Sequence, residues 1–358
     1  MQKKLIAAAV ASLAAAPFAL AQSNVTVYGI ADAGYAHTSA SGRNNNVIAG
    51  GNINGNRLGF RGTEDVGGGL KAIFTFEMGY NIDTGAAAGG LNINRQSWVG
   101  LRGNFGSVSV GKQYSPGYYV FLYDTEIPLT LSPAFVLNSK LNVGNVSATA
   151  PNSRLFAGGP ARTDNSIVYD TPVFGGFSAK LIYGFGEVAN DVSQGRTGAV
   201  GVNYTQGPFG VGYVYSSYEM KAAEASDGLT GHKLNENFIG GYYNFGIVKL
   251  IGSWQDAKDQ SVAGGNKAKL WNVGLDVPIG SGVIGLGYAN KTVDGNSNRD
   301  AKSYSLGYVH KLSKRTYLYG AVNHTSNDAL ASYGDLAAAG IAAGADPTTY
   351  LLGIRHAF

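Results

Sequence analysis

Trp271-Asn272-Val273-Gly274-Leu275-Asp276-Val277 runs into Pro278-Ile279-Gly280-Ser281, and the chain continues through Ile284-Gly285-Leu286-Gly287-Tyr288-Ala289. Successive side chains of an extended chain point to opposite faces. Trp271, Val273, Leu275 and Val277 therefore share one face, and Asn272, Gly274 and Asp276 the other. Past the turn, Ile284, Leu286 and Tyr288 alternate with Gly285, Gly287 and Ala289. One face is large and apolar and the other polar or small, which is the mark of half-buried strands joined by a short turn.

The same rule holds upstream. Phe177, Ala179, Leu181, Tyr183 and Phe185 alternate with Ser178, Lys180, Ile182 and Gly184. Phe209, Val211, Tyr213 and Tyr215 alternate with Gly210, Gly212, Val214 and Ser216. A β-sandwich drives its large residues into one limited core. Here the apolar face recurs on strand after strand, as a lipid-facing wall requires. Sixteen segments qualify, from about 24–36 to 348–358, and an even count lets the first strand pair with the last. Connections alternate between short (Pro172–Gly175, Pro278–Ser281, Leu312–Lys314) and long (His37–Gly55, Asn81–Ile93, Tyr114–Asp164, Asn327–Pro347). The expected fold is all-β: a 16-stranded antiparallel transmembrane barrel with short periplasmic turns and long external loops.

Composition agrees. The chain has 53 Gly and 22 Tyr, and only 14% of its residues are charged, against about 25% in a soluble domain. Lys3 and Lys4, the apolar run Leu5–Leu20 and the small-x-small sequence Ala19-Leu20-Ala21 read as an export signal over 1–21. The barrel would then occupy 22–358. Without Lys3 and Lys4 the chain carries 25 basic against 23 acidic residues, no footprint for nucleic acid. No mature segment is apolar over the roughly 18 residues a membrane helix needs. With no Cys, disulfides, thiolate-bound zinc and thiol nucleophiles are excluded. The five His show no metal spacing, and neither a cofactor nor a metal is expected.

The third long connection, Tyr114–Asp164, exceeds all others. A loop of this length in a compact domain is functional or disordered. It carries Tyr118, Tyr119, Phe121, Leu122 and Leu129 beside Asp124 and Glu126, enough apolar surface to fold inward and narrow the lumen.

Alternation also sorts the charges, because Arg or Lys on the lipid face costs roughly 2–4 kcal/mol near the midplane. Leu58 and Phe60 outward turn Arg57 and Arg61 inward. Ala72, Phe74 and Phe76 outward turn Lys71 and Glu77 inward. Lys180, Lys249, Lys291 and Arg355 follow, as does Arg95 if Trp98 faces lipid. The inward acids are Asp32, Glu77, Asp170 and Asp276. This basic excess favours anions in a low-dielectric wall. The terminal Phe358 shares a face with Tyr350, Leu352, Ile354 and His356, and is expected at a barrel rim as the C-terminal element of barrel assembly.

Val27-Tyr28-Gly29-Ile30-Ala31-Asp32, Arg57-Leu58-Gly59-Phe60-Arg61-Gly62-Thr63-Glu64-Asp65, Gly67-Gly68-Gly69-Leu70-Lys71-Ala72, Arg95-Gln96-Ser97-Trp98-Val99-Gly100-Leu101 and Leu312-Ser313-Lys314-Arg315-Thr316 come in this order before Phe358. Together they resemble the Gram-negative porin family of β-proteobacteria, of Neisseria and Burkholderia type. The resemblance implies a homotrimeric general diffusion porin of the outer membrane, passing small hydrophilic solutes and ions among outer-membrane lipid and lipopolysaccharide. It further implies a constriction where the third loop faces basic wall residues, carried over as Arg57 and Arg95, with Arg162 as a third. Glu77 matches a wall acid, and Asp124 and Glu126 are the candidate loop acids. Two other classes compete: a substrate-selective channel for a sugar or organic acid, and a closed barrel serving as adhesin, phage receptor or enzyme. Saturable conductance marks the first, and absence of conductance the second.

Overall fold

The computed structural model describes residues 24–86, 93–138, 161–219, 233–259, 267–294, 298–334 and 341–358. The expected signal over 1–21 lies outside them. The strands in the first half are β1 (Asn24–Ala40), β2 (Arg43–Gly50), β3 (Arg57–Gly67), β4 (Leu70–Gly79), β5 (Gln96–Gly103), β6 (Gly106–Tyr114), β7 (Arg162–Asp170) and β8 (Phe177–Gly184). Then come β9 (Thr197–Gln206), β10 (Phe209–Glu219), β11 (Lys233–Asn244), β12 (Lys249–Asp259) and β13 (Lys267–Ile279). The last are β14 (Gly282–Val293), β15 (Ala301–Lys311), β16 (Thr316–Asn327) and β17 (Thr348–Ala357).

Every neighbour is antiparallel, and β1 closes the ring on β17 with Ile30 opposite Ala357. Sixteen strands make the ring. The seventeenth, β2, was expected as part of a long loop over 37–55. Instead β1 runs on to Ala40, turns through Ser41 and Gly42, both at positive φ (44° and 80°), and returns as β2. Two central residues at φ > 0 make the turn that suits twisted hairpins. Arg43-Asn44-Asn45-Asn46 hides this strand, because it has no apolar alternation. β1 therefore pairs on one edge with β3 at its lower half and β2 at its upper half.

The outward faces match the alternation. Val99, Val110, Ile167, Leu181, Trp271, Leu275, Leu306 and Ile354 are among the exposed apolar side chains, the surface a barrel gives to lipid. At the closing seam, Phe358 and Gly29 exchange backbone hydrogen bonds of 3.1 Å each way. The Phe358 ring covers Gly29, where a Cβ would collide with it.

The third loop enters the barrel. Its described parts are two 3-10 segments, Pro116–Tyr123 and Leu129–Leu131, and the short helix α1 (Pro133–Asn138). It rests in a trough of inward-facing glycines. A Cβ on Gly285 would lie 2.6 Å from Ile127 Cγ1, and one on Gly287 would lie 3.0 Å from Pro133. Gly212 and Gly274 are occupied in the same way by Tyr123 and Thr125. The small inner face of β10, β13 and β14 is thus a seat for the loop. Above it, Leu137 and Ala134 of α1 pack with Leu234, Ala257, Ala268, Leu270, Ala289, Ala301 and Tyr333. This fills the lumen along β11–β15.

Candidate pore constriction

With one side of the lumen filled, the open side lies along β1 and β3–β9. There Glu77, on β4, stands at the centre of a polar cluster. Arg95 Nε donates to Glu77 Oε1 at 2.7 Å, and Arg57 Nη1 lies 3.4 Å from Oε2. Tyr114 Oη donates to Oε1 at 2.9 Å and Tyr28 Oη to Oε2 at 3.0 Å. Arg95 Nη2 in turn donates to Tyr114 Oη at 2.5 Å. Arg162, at the start of β7, sets its guanidinium 5.6 Å from the Tyr114 ring centre. Arg57 and Arg95 thus hold the one carboxylate and Arg162 stands over the Tyr114 ring, so the cluster has three guanidinium groups to one carboxylate, a net charge of +2. The Nη1 of Arg162 is buried with no hydrogen-bond partner among the described residues.

The loop supplies the opposite side. Tyr118 stacks on Tyr114 at 3.8 Å between ring centres, and Tyr119 meets Tyr118 edge-on at 5.5 Å. The cluster separates two spaces. Toward the long loops, a cavity of about 260 Å³ is lined by Asn54, Asn56, Tyr80, Arg95, Tyr118 and Arg162. Toward the short turns, one of about 370 Å³ is lined by Gln96, Trp98, Arg102, Tyr114, Tyr119 and Lys180.

The other expected site residues are dispersed. Asp124 receives hydrogen bonds from Ser132 Oγ and from the Thr125 N–H, bracing the loop internally. Glu126 does not join the arginines: it pairs with Lys311 at 3.0 Å, near the last short turn, while its N–H binds Asp276 Oδ1. Asp32 faces inward but is sealed. Its carboxylate accepts from Ile53 N (2.7 Å), Asn54 N (3.0 Å) and Tyr319 Oη (2.6 Å), and so holds residues 52–56 inside the barrel. Arg61 lies 5.1 Å over the Tyr28 ring, and exposed Lys71 stands opposite Arg102. Lys180 pairs with Asp170 at 2.9 Å and Lys249 with Asp276 at 3.9 Å.

One premise fails. Trp98 stands opposite buried Thr75 and lines the lumen, so it does not face lipid. Strict alternation would then send Arg95 outward. Arg95 precedes the regular part of β5, and that irregular backbone lets it swing in, with its N–H on Glu77 O at 3.0 Å. The alternation rule missed Tyr114, which reads as the first residue of a loop and is in fact the last of β6, at the heart of the cluster. His310 and His324, on neighbouring strands, stand opposite Leu318 and Tyr304, well apart along those strands.

The family model for Gram-negative porins matches residues 7–330. The chain belongs to the Gram-negative porin family. This porin is 36% identical to outer membrane porin protein 32 of Delftia acidovorans, with all of both chains covered. It is 32% identical to the major outer membrane protein P.IB of Neisseria gonorrhoeae over 74% of this chain and 75% of that one. Among solved structures, the anion-selective porin from Comamonas acidovorans superposes with a TM-score of 0.80 at 33% identity, covering 94% of this chain and all of that one. The porin is an outer-membrane channel of a Gram-negative bacterium.

Proposed function

We propose that this channel is a general diffusion porin for small hydrophilic solutes and ions with a weak preference for anions, working as a homotrimer. One observation carries the preference: Arg57, Arg95 and Arg162 gather around Tyr114 with Glu77 as the one carboxylate in the cluster. At an effective dielectric near 20, unit charges 4 Å apart interact by about 4 kcal/mol. The cluster's excess charge therefore lowers the energy of a passing anion and raises that of a cation. Arginine holds this charge at any physiological pH. The similar porin from Comamonas acidovorans is anion-selective, which points the same way.

The test is the reversal potential of refolded protein in a planar bilayer under a KCl gradient. A potential on the chloride side, with conductance closing in three steps, supports both the preference and the trimer. A potassium-side potential refutes the preference.

A second reading rests on the aromatics. Tyr118 and Tyr119 at the constriction and Trp98 below it offer ring faces to a sugar or organic acid. Solute-inhibited, saturable conductance would favour it.

A further inference from the structure

Asn54-Gly55 is the one Asn-Gly pair in the chain. It lies between β2 and β3, in the segment 52–56 that Asp32 holds inside the barrel. The three asparagines of this segment differ in how they are tied. Asn52 is buried, and its amide donates to the Ala49 carbonyl at 3.1 Å and to Tyr319 Oη at 2.8 Å. Asn56 is buried too, and its Oδ1 accepts the Asp32 N–H at 2.6 Å. The Asn54 side chain is half-buried and makes no hydrogen bond among the described residues. It lines the cavity of about 260 Å³ toward the long loops.

Gly55 completes the arrangement. Its N–H has no hydrogen-bond partner among the described residues. Arg57 Nε donates to its carbonyl at 2.9 Å. The Arg95 guanidinium lies over its Cα, since a Cβ there would stand 3.0 Å from Arg95 Nη1. Without a side chain at 55, nothing on that residue shields its nitrogen or resists its backbone rotation. Asp32 grips the Asn54 N–H at 3.0 Å, so the turn that brings the Gly55 nitrogen to Asn54 Cγ falls on the bond between Asn54 Cα and its carbonyl. A nucleophile and a carbonyl carbon on adjacent residues react with the advantage of proximity. The two guanidinium groups favour negative charge that develops on the attacked amide.

We propose that Asn54-Gly55 is a self-modifying site of the pore. The Gly55 nitrogen gives its proton to hydroxide and attacks Asn54 Cγ. The new N–Cγ bond closes a succinimide ring, and the side-chain nitrogen leaves as ammonia. Water then opens the ring: cleavage at Cγ leaves Asp, and cleavage at the Asn54 backbone carbonyl leaves isoaspartate. Either product sets a carboxylate in the cavity that Arg95, Arg162 and Asp83 also line. The three guanidinium groups of the cluster then face a second carboxylate besides Glu77, and the attraction for anions weakens. This effect needs the place of residue 54 in the cavity, and holds whichever ion the unmodified channel prefers.

The test ages refolded porin in detergent at mildly alkaline pH and keeps the material that is folded by heat-modifiable migration. Tandem mass spectrometry of the tryptic peptide 44–57 locates the conversion among its asparagines. The reversal potential in a planar bilayer under a KCl gradient reads the charge. Conversion at 54 should run about tenfold or more faster than at 52 or 56, with the potential moving toward the potassium side in step. Freshly refolded Asn54→Asp should start near the potential the aged porin reaches. Asn54→Gln should hold its starting potential, because the longer side chain closes the ring far more slowly. Conversion at 54 no faster than at 52 and 56 overturns the proposal, as does conversion that leaves the potential in place. If Asn54→Asp does not refold, the aged unaltered porin decides. The sign of the potential in fresh porin tests the anion preference, and the drift on ageing tests the site, so the two fail separately.

Discussion

The two sides of the lumen obey the same alternation and do opposite things with it. Along β3–β9 the inner face carries Arg57, Glu77, Arg102, Asp170 and Lys180, groups that need water or a counter-charge. Along β10–β15 it carries Gly212, Gly274, Gly285, Ala257, Ala268 and Ala289, groups that leave room, and its charges Glu236, Lys249, Asp276 and Lys291 are buried or paired. The first side is pore wall, and the second is a seat for the third loop and for Tyr333. Alternation separates inside from outside. Whether the inside meets water or protein is decided by side-chain size. A run of small inward residues on adjacent strands is the imprint of something packed within the barrel.

This contrast can be broken from either side. The largest effect is expected at Glu77, which is almost fully buried between two guanidinium groups. Glu77→Gln leaves Arg57 and Arg95 without their counter-charge and should cost about 3 kcal/mol, read as a lower denaturant midpoint at unchanged slope. The same variant should shift the reversal potential further toward chloride. On the packed side, Gly285→Val drives a branched side chain into Ile127. Overpacking of this kind costs about 1–3 kcal/mol, and displacing the loop from its seat should change single-channel conductance, whereas Gly285→Ala should do so less.

Lys291 sharpens the comparison, because it is a charge on the packed side. It is fully buried, donates to the Leu137 carbonyl at 3.1 Å at the end of α1, and lies 4.5 Å from the Tyr333 ring centre. Its charge faces buried Glu236, and replacing both members of a buried charge pair by apolar residues of like volume is often close to neutral. The double variant Lys291→Met/Glu236→Leu should change stability by no more than about 1 kcal/mol and leave the reversal potential in place. Unpinning α1 should appear as extra open-channel current noise. The smallest effect is expected for Lys180→Gln. Its pair with Asp170 is partly exposed, and pairs of that kind contribute about 0–1 kcal/mol, so unfolding should barely move.

Much of this was legible in the chain itself. The strand pattern, the sorting of loops by length and the inward facing of Arg57 and Glu77 follow from period-two alternation. What escaped did so for physical reasons. β2 opens with the polar run Arg43–Asn46 and then puts apolar residues on both faces, Val47 inward and Ile48 outward, so no periodicity marks it. Arg95 reaches the cluster from irregular backbone, where parity has no force, and the premise that Trp98 faces lipid was inverted. Asp32 is inward but spent on the backbone N–H groups of Ile53 and Asn54, a long-range partnership that spacing cannot show. Glu126 answers Lys311 across 185 residues, and so leaves the constriction.

The central claim is that three arginines around one carboxylate set the preference for anions. The most direct measurement is the reversal potential in a KCl gradient of Arg57→Gln/Arg95→Gln/Arg162→Gln beside the unaltered porin, both shown to be folded by heat-modifiable migration. The account predicts a chloride-side potential for the unaltered porin and a potential moved to zero or to the potassium side for the triple variant, now left with Glu77 alone. A chloride-side potential unchanged in the triple variant would contradict it and place the selectivity elsewhere in the barrel.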